Sequence, residues 1–132
     1  MNPQPTVVVT GANSGIGRST ALLLAENGFK VFATMRSLSR GEKLRALASE
    51  HALDITELEI DVTDEVSVRD GFGQVLQEHG HVDVLINNAG IGSNAAIEDI
   101  DTHSDKNVFE TNFWGVIRCT QAVLPSMRER RS

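Results

Sequence analysis

The sequence of 132 residues contains no tyrosine and a single cysteine, Cys119. Without a tyrosine, this chain by itself cannot use a phenol as a catalytic acid or base. A lone cysteine builds no disulfide framework, which fits a reducing compartment, so we predict a cytoplasmic location. The N-terminus has neither a basic segment nor an apolar run, and we therefore predict no signal peptide.

Long apolar runs and an excess of basic residues are also missing. No apolar run approaches the ~20 residues that span a bilayer, which predicts no membrane span. Acidic residues outnumber basic ones by 18 to 12, so a formal net charge of −6 argues against nucleic acid or anionic lipid as a partner. His79 and His81 lack companion ligands, and we predict no metal site.

Short β-branched runs alternate with helical stretches, which is typical of an α/β fold around a parallel sheet. Thr63 is predicted to cap the third helix, and the first helix is predicted to carry Ile16, Thr20, Leu23 and Leu24 on one apolar side. The predicted strands cover 6–10, 30–35, 55–61 and 82–87, and the predicted helices cover 15–27, 38–50, 63–79 and 104–130. The apolar face of the long last helix is predicted to consist of Val108, Phe109, Phe113, Val116, Ile117, Thr120, Val123, Leu124 and Met127.

The order of these elements predicts the topology of the sheet. Right-handed crossovers between parallel strands give the strand order 3-2-1-4 of a Rossmann-type doubly wound sheet. Such a sheet usually continues past its fourth strand. We therefore predict a fold truncated after the fourth strand and the long helix that follows it, with residues 1–132 forming a single, partial domain.

A glycine-rich turn stands between the first strand and the first helix. Gly11 permits a sharp turn, Gly15 lets the backbone approach a pyrophosphate, and Gly17 lets the helix pack closely on the sheet. The free N–H groups of the helix start, aided by the helix dipole, are suited to binding phosphates. The alternative interpretation is a tight strand–helix turn that holds no ligand.

Four motifs resemble, in order and spacing, those of the short-chain dehydrogenase/reductase family. They are the glycine turn from Thr10 to Gly17, the pair Asp61 and Val62, the sequence Asn87-Asn88-Ala89-Gly90, and Asn112 in the long helix. The resemblance spans the whole chain. It implies a nicotinamide dinucleotide cofactor and hydride transfer between that cofactor and an alcohol or carbonyl substrate.

The resemblance also implies roles for individual residues. The glycine turn, with Asn13, Ser14 and Ile16, is expected to bind the cofactor. Asp61 is expected to accept a hydrogen bond from the adenine amino group while the Val62 backbone meets the ring. The alternative for Asp61 is a helix-entry aspartate. Asn88, Ala89 and Gly90 are expected beside the cofactor ribose, although they also suit a turn that ties neighbouring strands together.

Asn112 is the one residue with an implied part in catalysis. A carboxamide on the apolar side of a helix needs hydrogen-bond partners if it is buried. In the family this asparagine holds a water that links the catalytic lysine to solvent, which implies a supporting role in proton relay. The alternative is that Asn112 stabilises a kink in the helix.

Arg36 indicates which dinucleotide is bound. An NAD site usually offers an acidic residue at the end of the second strand, but this chain has Met35 and Arg36 there. Because a guanidinium matches a 2′-phosphate, we predict NADP, with NAD less favoured. Ser14 and Arg40 could assist. The stretch 32–36 also resembles that of NADP-preferring 17β-hydroxysteroid and retinol dehydrogenases. The alternative is an exposed loop arginine.

The family's catalytic serine, tyrosine and lysine have no counterparts in the chain. We therefore expect this chain alone to be inactive and to supply the cofactor-binding half of an NADP-dependent oxidoreductase, which acts on a small alcohol or carbonyl compound and forms a homo-oligomer through the long helix when complete. The alternatives are a non-catalytic dinucleotide-binding module and a structural subunit.

Overall fold

The fold is built on a parallel sheet, seen in a computed structural model that describes residues 4–132. Residues 1–3, part of the segment used to predict the lack of a signal peptide, lie outside the described residues. The strands run in the order β3-β2-β1-β4, which confirms the predicted α/β topology. Their bounds are β1 (Thr6–Val9), β2 (Lys30–Met35), β3 (Ile55–Glu59) and β4 (Val84–Ile86).

The strands β3 and β4 are shorter than predicted. Within residues 4–132 the edge strand β4 pairs only with β1, and the register joins Val7 to Val84 and Val9 to Ile86. Because β1 ends where the glycine turn begins, β4 has no further backbone to pair with. The strand β3 likewise pairs with β2 only as far as Met35, opposite Glu59. The segments after β3 and β4 therefore leave the sheet sooner than predicted on the side of the glycine turn, and β4 also begins two residues later than predicted, at Val84.

Helices lie on both faces of the sheet, as predicted for a doubly wound fold. They are α1 (Gly15–Glu26), α2 (Glu42–Glu50), α3 (Glu65–His79), α4 (Thr102–Phe109) and α5 (Gly115–Arg130). Successive strand residues point to opposite faces. One buried cluster joins β1 and β2 to α1 and α2 through residues that include Val7, Val9, Ala21 and Leu44. The other joins β1 and β2 to α3 and α5 through residues that include Val8, Phe32, Phe72 and Cys119.

The predicted apolar face of α1 is partly wrong, although Leu24 is partly buried against the core. Ile16 and Leu23 are exposed, with 79% and 60% of their surface accessible, whereas Gly17 and Ala21 are buried. The start of the helix packs directly against the glycine turn through Gly17, and Leu22 and Leu24 are partly buried against the core further along. A pattern of large apolar residues therefore misplaced the contact face.

The predicted apolar face of the long helix is also partly wrong. Residues 110–114 form a π-helical turn between α4 and α5. A π turn inserts a residue into the helical repeat and so rotates the contact face. In α5 the buried residues are Gly115, Cys119 and Val123. Phe109, Phe113 and Leu124, which the regular 3.6-residue repeat placed inside, are exposed.

Candidate functional site

A cavity of about 510 Å³ lies at the carboxyl ends of the strands. Chain segments that follow each of the four strands line it, and this is the edge at which open α/β sheets bind ligands. It spans the point where the chain order reverses between β1 and β4. The predicted site residues that line it are Gly11, Asn13, Ser14, Gly15, Ile16, Arg36, Asp61, Val62, Asn88, Ala89 and Gly90.

The glycine turn forms one wall of the cavity. Gly11 has φ +63°, and a Cβ there would lie 2.8 Å from the Ala89 Cα, so only glycine fits this turn. Gly17 lies behind the cavity lining. A Cβ on Gly17 would overlap the Gly11 carbonyl oxygen and the Asn88 side-chain amide. The turn, the start of α1 and the segment after β4 are therefore packed against one another at backbone distance.

The N-terminus of α1 opens into the cavity. Ser14 occupies the N-cap position with extended backbone, φ −153° and ψ 166°. Within residues 4–132, the first turn of α1 has no side-chain cap from Ser14, and no atom lies within 4 Å of the point where a Gly15 Cβ would stand. The first turn also contains no acidic residue. The positive end of the helix dipole and its backbone donors are thus left for an anion.

Asn88 fastens β4 to the glycine turn. Its side-chain amide donates to the carbonyl oxygens of Thr10 and Gly11, each at 3.1 Å. The backbone N–H groups of Asn88 and Ala89 donate to the Thr10 hydroxyl oxygen, each at 3.0 Å. These bonds support the interpretation of a turn that ties neighbouring strands together, and they leave Gly90 on the cavity side.

Asp61 lies on the opposite wall with its carboxylate partly shielded. Its Oδ1 accepts hydrogen bonds from the Thr63 backbone N–H at 3.0 Å and from the Thr63 hydroxyl at 2.7 Å. Partial burial opposes ionisation, but the bonds from Thr63 and the positive charges of Arg36 and Arg118 outweigh it, and the pKa of Asp61 is lowered. Asp61 therefore remains a carboxylate acceptor at neutral pH.

Thr63 does not cap α3, contrary to prediction. The N-cap of α3 is Asp64, whose carboxylate accepts from the N–H groups of Val66 and Ser67 at 2.9 and 3.2 Å. Thr63 instead orients Asp61. The helix therefore begins one residue later than predicted, and the first free N–H groups of α3 bind the carboxylate of Asp64.

Arg36 stands at the rim of the cavity. Its side chain is 63% exposed, and its Nε lies 3.7 Å from Asp61 Oδ2. An exposed pair at this separation stabilises the fold little. The guanidinium is therefore held loosely beside Asp61, and Arg40 lines the same cavity.

Asn112 lies in the π turn, outside the cavity lining. The residue is exposed, and its implied part in proton relay remains a prediction. Both polar atoms bind the backbone of Ile91: Oδ1 accepts from the N–H at 2.9 Å, and Nδ2 donates to the carbonyl at 2.7 Å. Asn112 thus holds the segment after Gly90 against the irregular turn of the long helix.

Sequence reasoning missed three contributors to this arrangement. Thr10 organises Asn88 and Ala89, Thr63 organises Asp61, and Arg118 contacts the carbonyl oxygen of Val62 at 3.1 Å. Thr10 and Thr63 are next to recognised motif residues, so local hydrogen bonding by threonine was a usable signal. Arg118 lies 56 positions from Val62, and no local pattern pointed to it.

Comparison with known proteins identifies the family. The short chain dehydrogenase family model matches residues 5–132, so the chain belongs to that family, and the predicted resemblance is confirmed. The chain is 40% identical over 131 residues to the 3-ketodihydrosphingosine reductase of Bacteroides thetaiotaomicron, an alignment that covers 99% of this chain and 45% of the relative. It is 40% identical over 130 residues to retinol dehydrogenase 8 of Homo sapiens, with coverages of 96% and 41%.

Solved structures show the same fold. A short-chain dehydrogenase from Streptomyces avermitilis superposes with a TM-score of 0.91 at 34% identity, over 100% of this chain and 47% of that one. An actinorhodin polyketide ketoreductase variant, solved with NADPH, superposes with a TM-score of 0.90 at 32% identity, over 96% and 49%. This chain therefore spans about half the length of these structures and less than half the length of the two curated relatives.

Residues 4–132 offer neither a membrane-spanning helix nor a metal-binding cluster. In this part of the chain, no helix is long and apolar enough to cross a membrane. The same residues contain no group of three or more histidine, cysteine, aspartate or glutamate side chains that could hold a metal ion.

Proposed function

We propose that this chain binds NADP(H) and forms the cofactor-binding half of an oxidoreductase that transfers hydride between the nicotinamide and an alcohol or carbonyl compound. The observation that carries the proposal is the cavity itself. An open helix N-terminus, a carboxylate and an arginine face one space of about 510 Å³. These are the partners that a dinucleotide with a phosphorylated adenosine requires.

The residues around the cavity suit successive parts of the cofactor. The first turn of α1 offers backbone donors to the pyrophosphate, and Gly15 leaves the space for it. Asp61 offers a carboxylate acceptor to the adenine amino group. Asn88, Ala89 and Gly90 supply small or backbone-bonded groups beside the nicotinamide ribose. When bound, the cofactor would supply the hydride chemistry, which these side chains do not perform.

Arg36 supports the choice of NADP over NAD. A 2′-phosphate at neutral pH carries close to two negative charges, and a guanidinium binds it through paired hydrogen bonds. Arg36 is exposed at the rim and only weakly engaged with Asp61, so it is available for such a contact. The NADPH in the similar ketoreductase structure is consistent with this proposal.

A titration of the purified chain tests the proposal. NADPH and NADH are added separately while nicotinamide emission and quenching of Trp114 fluorescence are followed. We expect saturable binding, with NADPH at least about tenfold tighter than NADH because a charge-assisted contact contributes roughly 1.5–3 kcal/mol. Arg36→Ala is expected to remove the difference.

Arg128→Ala is the matched control, because Arg128 is an exposed arginine on α5, outside the cavity lining. It is expected to keep the preference of the wild-type chain. Equal affinity for the two cofactors in the wild-type chain would contradict the proposed NADP preference. A folded chain that binds neither cofactor would contradict the proposed function as a whole.

The substrate class is proposed from the family. One relative is named a reductase of 3-ketodihydrosphingosine and another a retinol dehydrogenase, which supports a substrate with a carbonyl or hydroxyl group. Because the sequence contains no tyrosine, we expect this chain alone to bind NADPH without consuming it. Constant nicotinamide absorbance with retinal as the test carbonyl compound would agree, and turnover by the purified chain would contradict this.

Self-association through the long helix is a further part of the proposal. Phe113, Trp114 and Leu124 expose between 42% and 51% of their surfaces along this helix. Apolar surface of this kind favours association. Sedimentation of the chain across a range of concentrations is expected to show species larger than the monomer, and Trp114→Gln is expected to shift them towards it. A cytoplasmic location remains a prediction.

A further inference from the structure

Arg118 joins two segments that belong to different walls of the cavity. Its side chain is only 18% exposed, although it lies outside the cavity lining. One guanidinium nitrogen donates to the Val62 carbonyl oxygen at 3.1 Å and contacts the Glu110 carbonyl oxygen at 3.5 Å. The other nitrogen pairs with the Glu110 carboxylate. A single planar group thus connects the segment after β3 to the start of the π turn.

The Val62 end of this connection belongs to the Asp61 wall. Val62 is buried, with 6% of its surface exposed, and it lines the cavity beside Asp61. A Cβ on Gly115 would lie 2.8 Å from Val62 Cγ2, so the first residue of α5 packs directly against it. The side chain of Val62 is therefore fixed by packing, and its backbone carbonyl is fixed by Arg118.

The π turn explains how Arg118 reaches Glu110. In a regular α-helix, residues eight positions apart are rotated by about 80° from each other. The extra residue of a π turn makes this spacing equivalent to about seven α-helical positions, which reduces the offset to about 20°. Glu110 and Arg118 consequently lie on the same side of the helix. The irregular turn and the arginine contact are two parts of one arrangement.

The other end of the connection belongs to the segment that follows β4. Asn112, in the middle of the π turn, binds the Ile91 backbone through both of its side-chain polar atoms, and Ile91 lines the cavity. Displacing the π turn would therefore move the Ile91 segment, and releasing Arg118 would free the Val62 carbonyl. Arg118 stands where the two walls are joined.

We propose that Arg118 is a positioning residue of the nucleotide site: its guanidinium fixes the Val62 carbonyl to the π turn and so holds Asp61 and Val62 where the adenine ring binds. The proposal rests on the proposed function, since it assigns the Asp61 wall to adenine. It goes further because it assigns control of adenine binding to a residue that lies outside the cavity. Arg118 also contributes to the lowered pKa of Asp61 through its charge.

Calorimetric titration of the purified 132-residue chain with 2′,5′-ADP tests the proposal, because this probe carries the adenine and the 2′-phosphate without the nicotinamide. Arg118→Met keeps the apolar stem and removes the donors. We expect it to weaken binding by about tenfold, the usual size of losing one charge-assisted hydrogen bond. Arg128→Met, on the exposed side of the same helix, is expected to leave binding unchanged.

Combining Arg118→Met with Asp61→Asn separates positioning from a general structural role. If Arg118 acts through the Asp61 wall, its removal in the Asp61→Asn background weakens binding by less than about twofold, because coupled residues are not additive. A tenfold loss in both backgrounds would mean a general structural effect and would overturn the proposal. Unchanged binding by a folded Arg118→Met chain would overturn it as well.

Two further measurements keep the result decisive. If Arg118→Met does not fold, Arg118→Lys retains the charge and the stem but cannot contact Val62 and Glu110 together, and it is expected to weaken binding about threefold. Unchanged binding by this variant overturns the proposal.

If the folded wild-type chain binds neither NADPH nor 2′,5′-ADP, the proposed function fails. In that case, amide hydrogen exchange in the ligand-free variant tests the positioning role of Arg118 directly. Faster exchange than in the wild-type chain at 62–64 and 110–114, but not at 15–18, supports this role. Equal exchange in the two chains overturns it.

Discussion

Two helices begin at the same edge of the sheet, and their N-termini are built in opposite ways. The first turn of α3 is closed by Asp64, which accepts two backbone hydrogen bonds, and it carries Glu65. The first turn of α1 follows Ser14, and among residues 4–132 it receives no such side-chain cap and carries no acid. Both helices follow a parallel strand, so topology alone does not account for the difference.

The difference shows which helix start is available to a ligand. An N-cap aspartate stabilises a helix by about 1 kcal/mol, and α3 gains this from its own chain. In α1 the same donors face the cavity. The stabilisation that α1 forgoes can come from an anionic ligand, which supports the proposal that the pyrophosphate of a dinucleotide binds there.

The largest expected effect on NADPH binding comes from giving α1 a carboxylate cap like that of α3. Ser14→Asp places a carboxylate where the pyrophosphate would bind, and two like charges 4 Å apart near a surface repel by roughly 4 kcal/mol. We expect NADPH affinity to fall by on the order of a hundredfold or more. The free energy of unfolding should be unchanged or rise by up to about 1 kcal/mol.

Fluorescence titration and urea unfolding measure these two quantities in the same preparation. Ser14→Asn is the matched control, because it caps the helix without adding charge. If Ser14→Asp binds NADPH as tightly as Ser14→Asn, then the N-terminus of α1 is not where the phosphates bind.

A methyl group added to each helix sharpens the comparison. Gly17→Ala in α1 would overlap Gly11 and Asn88, and we expect it to lower the free energy of unfolding by about 2–3 kcal/mol. Gly73 in α3 is exposed and has no described atom within 4 Å of a built Cβ. Gly73→Ala should therefore raise the free energy of unfolding by about 0.5–1 kcal/mol. Urea unfolding that shows similar changes for both would disprove the close approach at α1.

Removing the cap from α3 is the converse test. We expect Asp64→Ala to lower the free energy of unfolding by about 1 kcal/mol and to leave the NADPH dissociation constant of the folded chain unchanged. Asp70→Ala, an exposed position further along α3, serves as the control and should change stability less. A large loss of NADPH binding in Asp64→Ala would mean that the start of α3 also contributes to the site.

The smallest expected effect is the pH dependence that Asp61, which lies just before α3, gives to the free energy of unfolding. Its pKa is lowered from 3.8, so its ionised form stabilises the folded state. That contribution is complete above the unfolded pKa and is lost as the pH falls through the lower folded pKa. The stability difference between wild type and Asp61→Asn should be constant near neutrality and shrink below about pH 4.

Acid titration of unfolding by circular dichroism measures this difference. Thr63→Val keeps the shape of the side chain but removes one hydrogen bond to Asp61, so it should reduce the pH-dependent part. A difference between wild type and Asp61→Asn that grows as the pH falls would contradict the assigned direction of the pKa shift.

The topology and the cavity lining were largely predictable because the signals are local. β-branched runs and glycine positions predicted the elements, right-handed crossovers predicted their order, and residues after strand ends were expected to meet at one edge. The structure brings Gly11, Arg36 and Asp61 to one cavity, as that argument requires. The cap of α3 was predicted one residue early, because Thr63 and Asp64 are both good N-cap residues; in the structure Asp64 accepts the helix N–H groups while Thr63 binds Asp61.

The contact faces of the helices were not predictable by the same means. A periodic pattern assumes a constant repeat, but the π turn at 110–114 changes the repeat between α4 and α5. It also assumes that large apolar residues mark the interface, whereas α1 packs through Gly17 and Ala21.

The sequence by itself determined the family of this protein, the order of its strands and the chemical types available at their ends, because each depends on residues close together in the chain. Only the tertiary structure decided which side chains remain available. The bonding of Asn112 to Ile91 and of Arg118 to Val62 depends on where separate segments come to rest. Hydrogen bonds are short-ranged and directional, so such partners are settled when the packing is complete.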